Sequence, residues 1–132
     1  MDRAEGEVRP RVFFEEWDDP LISGIRWVEE LVDIAGGDAV FPELRTAGLA
    51  KDRIVTADRV REARPDMIFA SWCGKKVRVA TITGRPGWHD VPAVRDGRIH
   101  EIKSTYILQP GPASLTDGVR QLHAHIVAWA RT

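Results

Sequence analysis

The segment Phe13 to Gly24, FFEEWDDPLISG, gathers four carboxylates, Glu15, Glu16, Asp18 and Asp19, around Trp17. Carboxylates this dense could supply the acid and base of a hydrolase, hold a metal ion, edge a ligand cleft, or simply end a strand in solvent. Hydrolysis needs two carboxyl groups that converge from different environments. Neighbouring strand positions point to opposite faces, so Glu15 and Glu16 diverge, and the sequence places no second carboxylate opposite them. A small carboxylate-dependent hydrolase therefore stands behind two other readings, the lip of a ligand cleft and a solvated strand end.

The remaining reactive residue types are sparser. His123 and His125 stand two apart in a predicted helix, where they do not share a face, and with His89 and His100 they match no zinc spacing. Cys73, the single cysteine, has no neighbouring histidine to activate it. No glycine-rich phosphate loop is present, since AGGDA closes a helix and TGRPG reads as a turn. The five tryptophans divide by context. Trp27 and Trp129 fall on apolar helix faces and are expected in the core, whereas Trp17, Trp72 and Trp88 follow strands or sit in Gly/Pro turns. There an aromatic ring can stack on a flat ligand as readily as pack inside.

The elements that must position these residues follow from periodicity and punctuation. The run Arg11 to Trp17 reads as a strand ended by the DDP turn. Ser23 is placed to cap a helix carrying Val28, Leu31, Val32 and Ala35 on one face, with Gly36 and Gly37 as its stop. DAVFPELRTAGLAKDRIV is an irregular connection, and Thr56 caps a second helix that ends at Pro65. DMIFASW is apolar enough for a strand buried on both faces. KKVRVATITG fits a strand or a short helix equally well. In AVRDGRIHEI, Asp96 and Gly97 form a turn between two alternating runs and feed a strand from Arg98 to Ile102. A last helix places Leu115, Val119, Leu122, Ile126 and Trp129 along one face.

Strand, helix, helix, strand implies parallel pairing, so the expected fold is α/β, a three-layer Rossmann-like domain with a mostly parallel sheet flanked by helices. Residues 1–8 are expected as a tail and 9–132 as a single lobe. In such sheets ligands bind beyond the carboxyl ends of the strands, where Glu16 and Trp17, Ser71 and Trp72, and then Tyr106 and Gln109 could share one rim. A chain of 132 residues supports one such domain, and 19 basic against 20 acidic residues leave no field that would draw it to nucleic acid. MDRAEGEVRP has no apolar core of the kind an export signal needs, and no later stretch is long enough to span a bilayer.

Four segments, RVFFEEWDDPLISGIRWVEELVDIAGGDAVF, ADRVREARPDMIFASW, GWHDVPAVRDGRIHEI and ILQPGPASLTDGVRQL, together resemble the carboxy-terminal lobe of ABC-transporter substrate-binding proteins for cobalamin and iron complexes, with the cobalamin (vitamin B12) branch the nearest. The resemblance runs from about Arg9 to Ala130. It implies a bilobal receptor that closes on a corrinoid, iron-siderophore or haem ligand and delivers it to an ABC permease, with no catalysis and no covalently bound cofactor. It also implies a periplasmic or cell-envelope location, against a cytoplasmic one should the chain be complete. One lobe of the two is recognisable, leaving an amino-terminal lobe, or a second copy of the chain, to face it. Carried over by position, the resemblance makes Glu16, Trp17, Asp18, Asp19, Trp72, Tyr106 and Gln109 ligand contacts. It makes Asp58 a docking residue for basic groups of the permease, although an acid early in a helix is also favoured by the helix dipole alone. KKVRVATITG falls where these lobes carry a helix.

Overall fold

The computed structural model describes residues 9–24, 26–46, 50–72, 75–103 and 117–131. The expected tail 1–8, Cys73, Tyr106, Gln109 and the side chain of Trp27 lie outside that description.

The aromatic run forms β1 (Arg11–Asp18), the spine of a mixed sheet. Beside it along one edge lies β4 (Met67–Ala70), in parallel, with Val12 opposite Met67 and Glu15 opposite Ala70. The opposite edge is shared. A two-residue β3 (Asp38–Ala39) pairs in parallel with its start, and β2 (Leu21–Ser23) folds back antiparallel on its end. Beyond β4, β5 (Ile99–Glu101) continues the parallel set.

Alternation along the strands sorts the core into two layers. Val12 and Phe14 of β1 and Met67 and Phe69 of β4 face α1 (Arg26–Ala35) and the last helix, α5 (Val119–Ala130). Phe13, Ile68 and Ala70 face the other way, toward α2 (Ala57–Ala63), α3 (Val79–Thr83), α4 (Pro92–Arg95), Trp72 and Trp88. The expected layered α/β fold with a mostly parallel sheet is therefore present, and each residue of β4 is buried on both faces.

Local signals act as their chemistry requires. Thr56 accepts a hydrogen bond from the Arg59 amide at 3.0 Å and caps α2, which ends at Arg64 in a left-handed conformation just before Pro65. Gly36 closes α1 at a φ of 109°. At Gly37 a Cβ would come within 2.7 Å of the Val12 side chain, so glycine lets β3 lie against the spine strand.

Two expectations fail locally. Ser23 ends β2 as a buried residue instead of capping α1, because the turn through Asp19 and the cis Pro20 brings Leu21 to Ser23 alongside β1, where backbone groups pair in a ladder. The residues before Asp96 form the single helical turn α4 and not an alternating run, since Pro92 suits a helix's first position. The ambiguous segment resolves as helix at Val79–Thr83, preceded by a non-regular approach through Lys75 to Arg78.

Candidate functional site

Because β1 and β4 are parallel and end side by side, the segments that follow them emerge together at the carboxyl edge of the sheet. The Glu15 side chain lies behind that edge, on the Phe13 face, and is fully buried. Arg85 grips it in a fork, each of two N–H groups 2.8 Å from one carboxylate oxygen, and the Trp72 indole N–H donates to the same carboxylate at 2.8 Å. The Arg85 guanidinium lies 4.6 Å from the centre of the Trp88 ring, whose N–H donates to the Ala57 carbonyl at 3.2 Å. A buried carboxylate is tolerated only when paired and hydrogen-bonded, and this one has both a bidentate cation and a neutral donor.

Trp72 is thereby corrected from a rim residue to an interior one, with 3% of its surface exposed, because its indole N–H finds a buried acceptor in Glu15. Trp88 takes the core position as well.

The other acids of the opening segment stand at the lip. Glu16 pairs with Arg53 at 2.9 Å, and Arg53 also donates to the Ser23 carbonyl at 2.6 Å, which ties β2 to the end of β1. Asp18, the last residue of β1, pairs with Lys75 at 2.8 Å, joining the end of β1 to the loop after β4. Burial, the largest influence on Asp18, pushes its carboxyl up, but the hydrogen bond from Lys75, the local backbone and the Lys75 charge together carry it below the ordinary value. The Lys75 ammonium sits 4.4 Å from the Trp17 ring centre and 5.1 Å from that of Trp72, so one face of Trp17 carries a cation. The Trp17 indole N–H donates to the Asp19 carbonyl at 3.1 Å, and Asp19 itself is exposed. Glu101, at the end of β5, accepts the Val77 amide at 3.0 Å and anchors the segment that carries Lys75.

The structure thus brings Glu16, Trp17, Asp18 and Asp19 together at one edge with Trp72 behind them. Asp58 stands apart on the exposed first turn of α2, 3.3 Å from Arg61. Sequence reasoning missed Arg53, Lys75 and Arg85, the cations that organise the acids. One signal was available: Glu15 shares its strand face with Phe13, so a carboxylate there had to be buried and had to have a cation.

On the other side of the sheet, His100 of β5 and His125 of α5 stack with ring centres 3.8 Å apart, beside Phe69. Desolvation pulls His100 down to about 4, helped by the charges of His125 and Arg98, and desolvation also lowers His125. Among the described residues no three potential metal ligands cluster. Nor is any helix among them long and apolar enough to cross a membrane.

The sequence profile described as periplasmic binding protein matches residues 2–106. No curated protein matches the chain. Among solved structures, the periplasmic vitamin B12 binding protein BtuF of Vibrio cholerae aligns with 96% of this chain and 47% of its own, at 20% identity and a TM-score of 0.68. The periplasmic heme-binding protein RhuT from Roseiflexus aligns with 90% of this chain and 48% of its own, at 25% identity and a TM-score of 0.66. The ABC-type Fe3+-hydroxamate transport system from Saccharomonospora viridis aligns with 89% of this chain and 41% of its own, at 19% identity and a TM-score of 0.72. The chain spans less than half the length of each of these three proteins.

Proposed function

The chain belongs to the periplasmic binding protein family, and from that premise we propose that it forms one lobe of the substrate-binding protein of an ABC importer. The cargo is drawn from the cobalamin, haem and iron-complex class. Solute binding rather than catalysis is the trade of the family and of its structural neighbours. The observation that carries the reading is the lip itself. The end of β1 and the loop after the adjacent parallel β4 are cross-linked by Asp18 and Lys75, over a buried Glu15, Arg85 and Trp72 cluster that fixes their position. Such a lip orients a ligand through a few polar groups beside an aromatic surface.

In this reading Glu16, Trp17, Asp18 and Asp19 contact cargo directly, Tyr106 and Gln109 contribute from the segment beyond β5, and Trp72 supports them from behind. A second lobe faces the lip across a cleft. Asp58 meets basic groups of the permease, on the periplasmic side of the membrane.

Titration of the purified chain with cobalamin, haemin and a ferric hydroxamate, followed by tryptophan fluorescence and visible absorption, tests the assignment. Saturable binding of one of them is expected. The absence of a response to all three at high concentration overturns it. The docking role predicts that Asp58→Lys leaves cargo affinity intact and abolishes stimulation of the importer's ATPase.

A further inference from the structure

The opening acids suggest a lip that attracts cations, but the structure reverses that sign. Glu15 is fully buried against Arg85, Glu16 is 17% exposed and held by Arg53, and Asp18 is 13% exposed and held by Lys75, whose own side chain is 43% exposed. In the pair that joins the end of β1 to the loop after β4, the carboxylate is therefore the inner partner and the ammonium the outer one. Lys76 and Arg78, both exposed, follow in the same segment, while Asp19 is the exposed acid on the facing loop.

Resting on the function proposed above, we infer that this lip selects cargo bearing an anionic group, a carboxylate or an equivalent oxyanion, and that Lys75 is the residue that reads it. An ammonium has three N–H donors. Asp18 Oδ2 accepts from Nζ at 3.0 Å while Oδ1 lies in ion-pair contact at 2.8 Å, so the carboxylate takes up one donor on the inner side and leaves capacity for a ligand oxygen on the outer side. The group is held before cargo arrives, by Asp18, by the faces of Trp17 and Trp72, and by the Glu101 bond to the Val77 amide two residues on. Preorganisation of this kind spares the cargo the cost of ordering a long side chain. A cationic cargo, or a flat neutral one seeking the covered face of Trp17, must instead displace Lys75 from a partly buried ion pair. Within the cargo class this favours tetrapyrrole or chelate peripheries that carry carboxylates over peripheries made of neutral amides.

The test uses two probes that share one ring, mesoporphyrin IX, a dicarboxylic acid, and its neutral dimethyl ester, with cobalamin as a third. Binding is read by tryptophan quenching in the wild-type chain and in Lys75→Gln and Lys75→Arg. The expected result is a wild-type preference for the diacid of about tenfold or more, the scale of one charge-assisted hydrogen bond. That preference collapses in Lys75→Gln and survives in Lys75→Arg. Equal binding of diacid and diester by the wild type, or an unchanged preference in Lys75→Gln, overturns the inference. Binding of cobalamin with neither porphyrin also overturns it while leaving the importer reading intact, and binding of no probe overturns the inference, the importer reading then standing or falling on the haemin and ferric hydroxamate titrations. Should circular dichroism show Lys75→Gln unfolded, Lys75→Met, which keeps the aliphatic stem and removes the charge, is read instead by the same comparison, with loss of the diacid preference expected and an unchanged preference decisive against the inference.

Discussion

The two core layers on either side of the sheet solve the same packing problem with different chemistry. Toward α1 and α5 the filling is aliphatic and aromatic, with the buried Glu29 of α1 near Gly24 and the His100 and His125 rings stacked at its margin. Toward α2, α3 and α4 the layer reaches the carboxyl edge of the sheet and there encloses a carboxylate, a guanidinium and two tryptophans. The first layer supplies stability. The second adds position, because a fork of hydrogen bonds fixes angles that apolar contact leaves soft. The lip stands on the second.

The sharpest way to break this contrast is Arg85→Met, which strands the Glu15 carboxylate in the interior and is expected to cost about 3–5 kcal/mol in urea unfolding. Replacing Glu15 by Met as well restores most of that loss and makes this layer resemble its counterpart, short of about 1–3 kcal/mol for the Trp72 N–H left without an acceptor. The double variant holds its fold and loses cargo affinity if the cluster serves position. In the apolar layer, Leu122→Ala, a buried side chain of α5, is expected to cost about 2–5 kcal/mol by the same measurement.

The layers also differ in their response to acid. The folded His100 sits at about 4, below its ordinary 6.5, so as pH falls between those values the unfolded chain takes up a proton that the folded chain refuses. Stability from this site is complete above the ordinary value and declines down to about 4, and the urea midpoint should drop between pH 7 and pH 4.5. His100→Phe should flatten that slope, and an unchanged slope would place the pH response elsewhere. The smallest effect belongs to the lip, where Asp18→Asn breaks a pair with a half-exposed lysine and should change stability by less than about 1 kcal/mol.

How much of this was legible depended on whether a signal was local. β1 and β4 announced themselves through aromatic and apolar runs, α2 through Thr56 and Pro65, and the parallel step between strands through the helix between them. β2 did not, because three residues ending in Ser-Gly look like a helix cap until the spine strand is there to pair with. α4 was hidden because four residues cannot distinguish a helical turn from an alternating run. At the site, the acids were visible as a cluster, but their partners lay far along the chain. Arg85 is 70 residues from Glu15 and sits in a stretch whose composition says only turn. A pair closed by tertiary structure leaves no periodicity, and only the parity of Glu15 with Phe13 hinted that a partner was required.

The Trp88 indole has a mechanical consequence. Its N–H holds the Ala57 carbonyl, next to Asp58, while its ring lies against the guanidinium that grips Glu15 in β1. The start of α2 and the lip are thus two ends of one strut made of buried contacts. Tilting α2 against β1 would have to open that interior at the cost of a buried charge. For the proposed importer this means that cargo and permease address a single stiff body: occupancy is reported by where the whole lobe stands, and not by a bend within it.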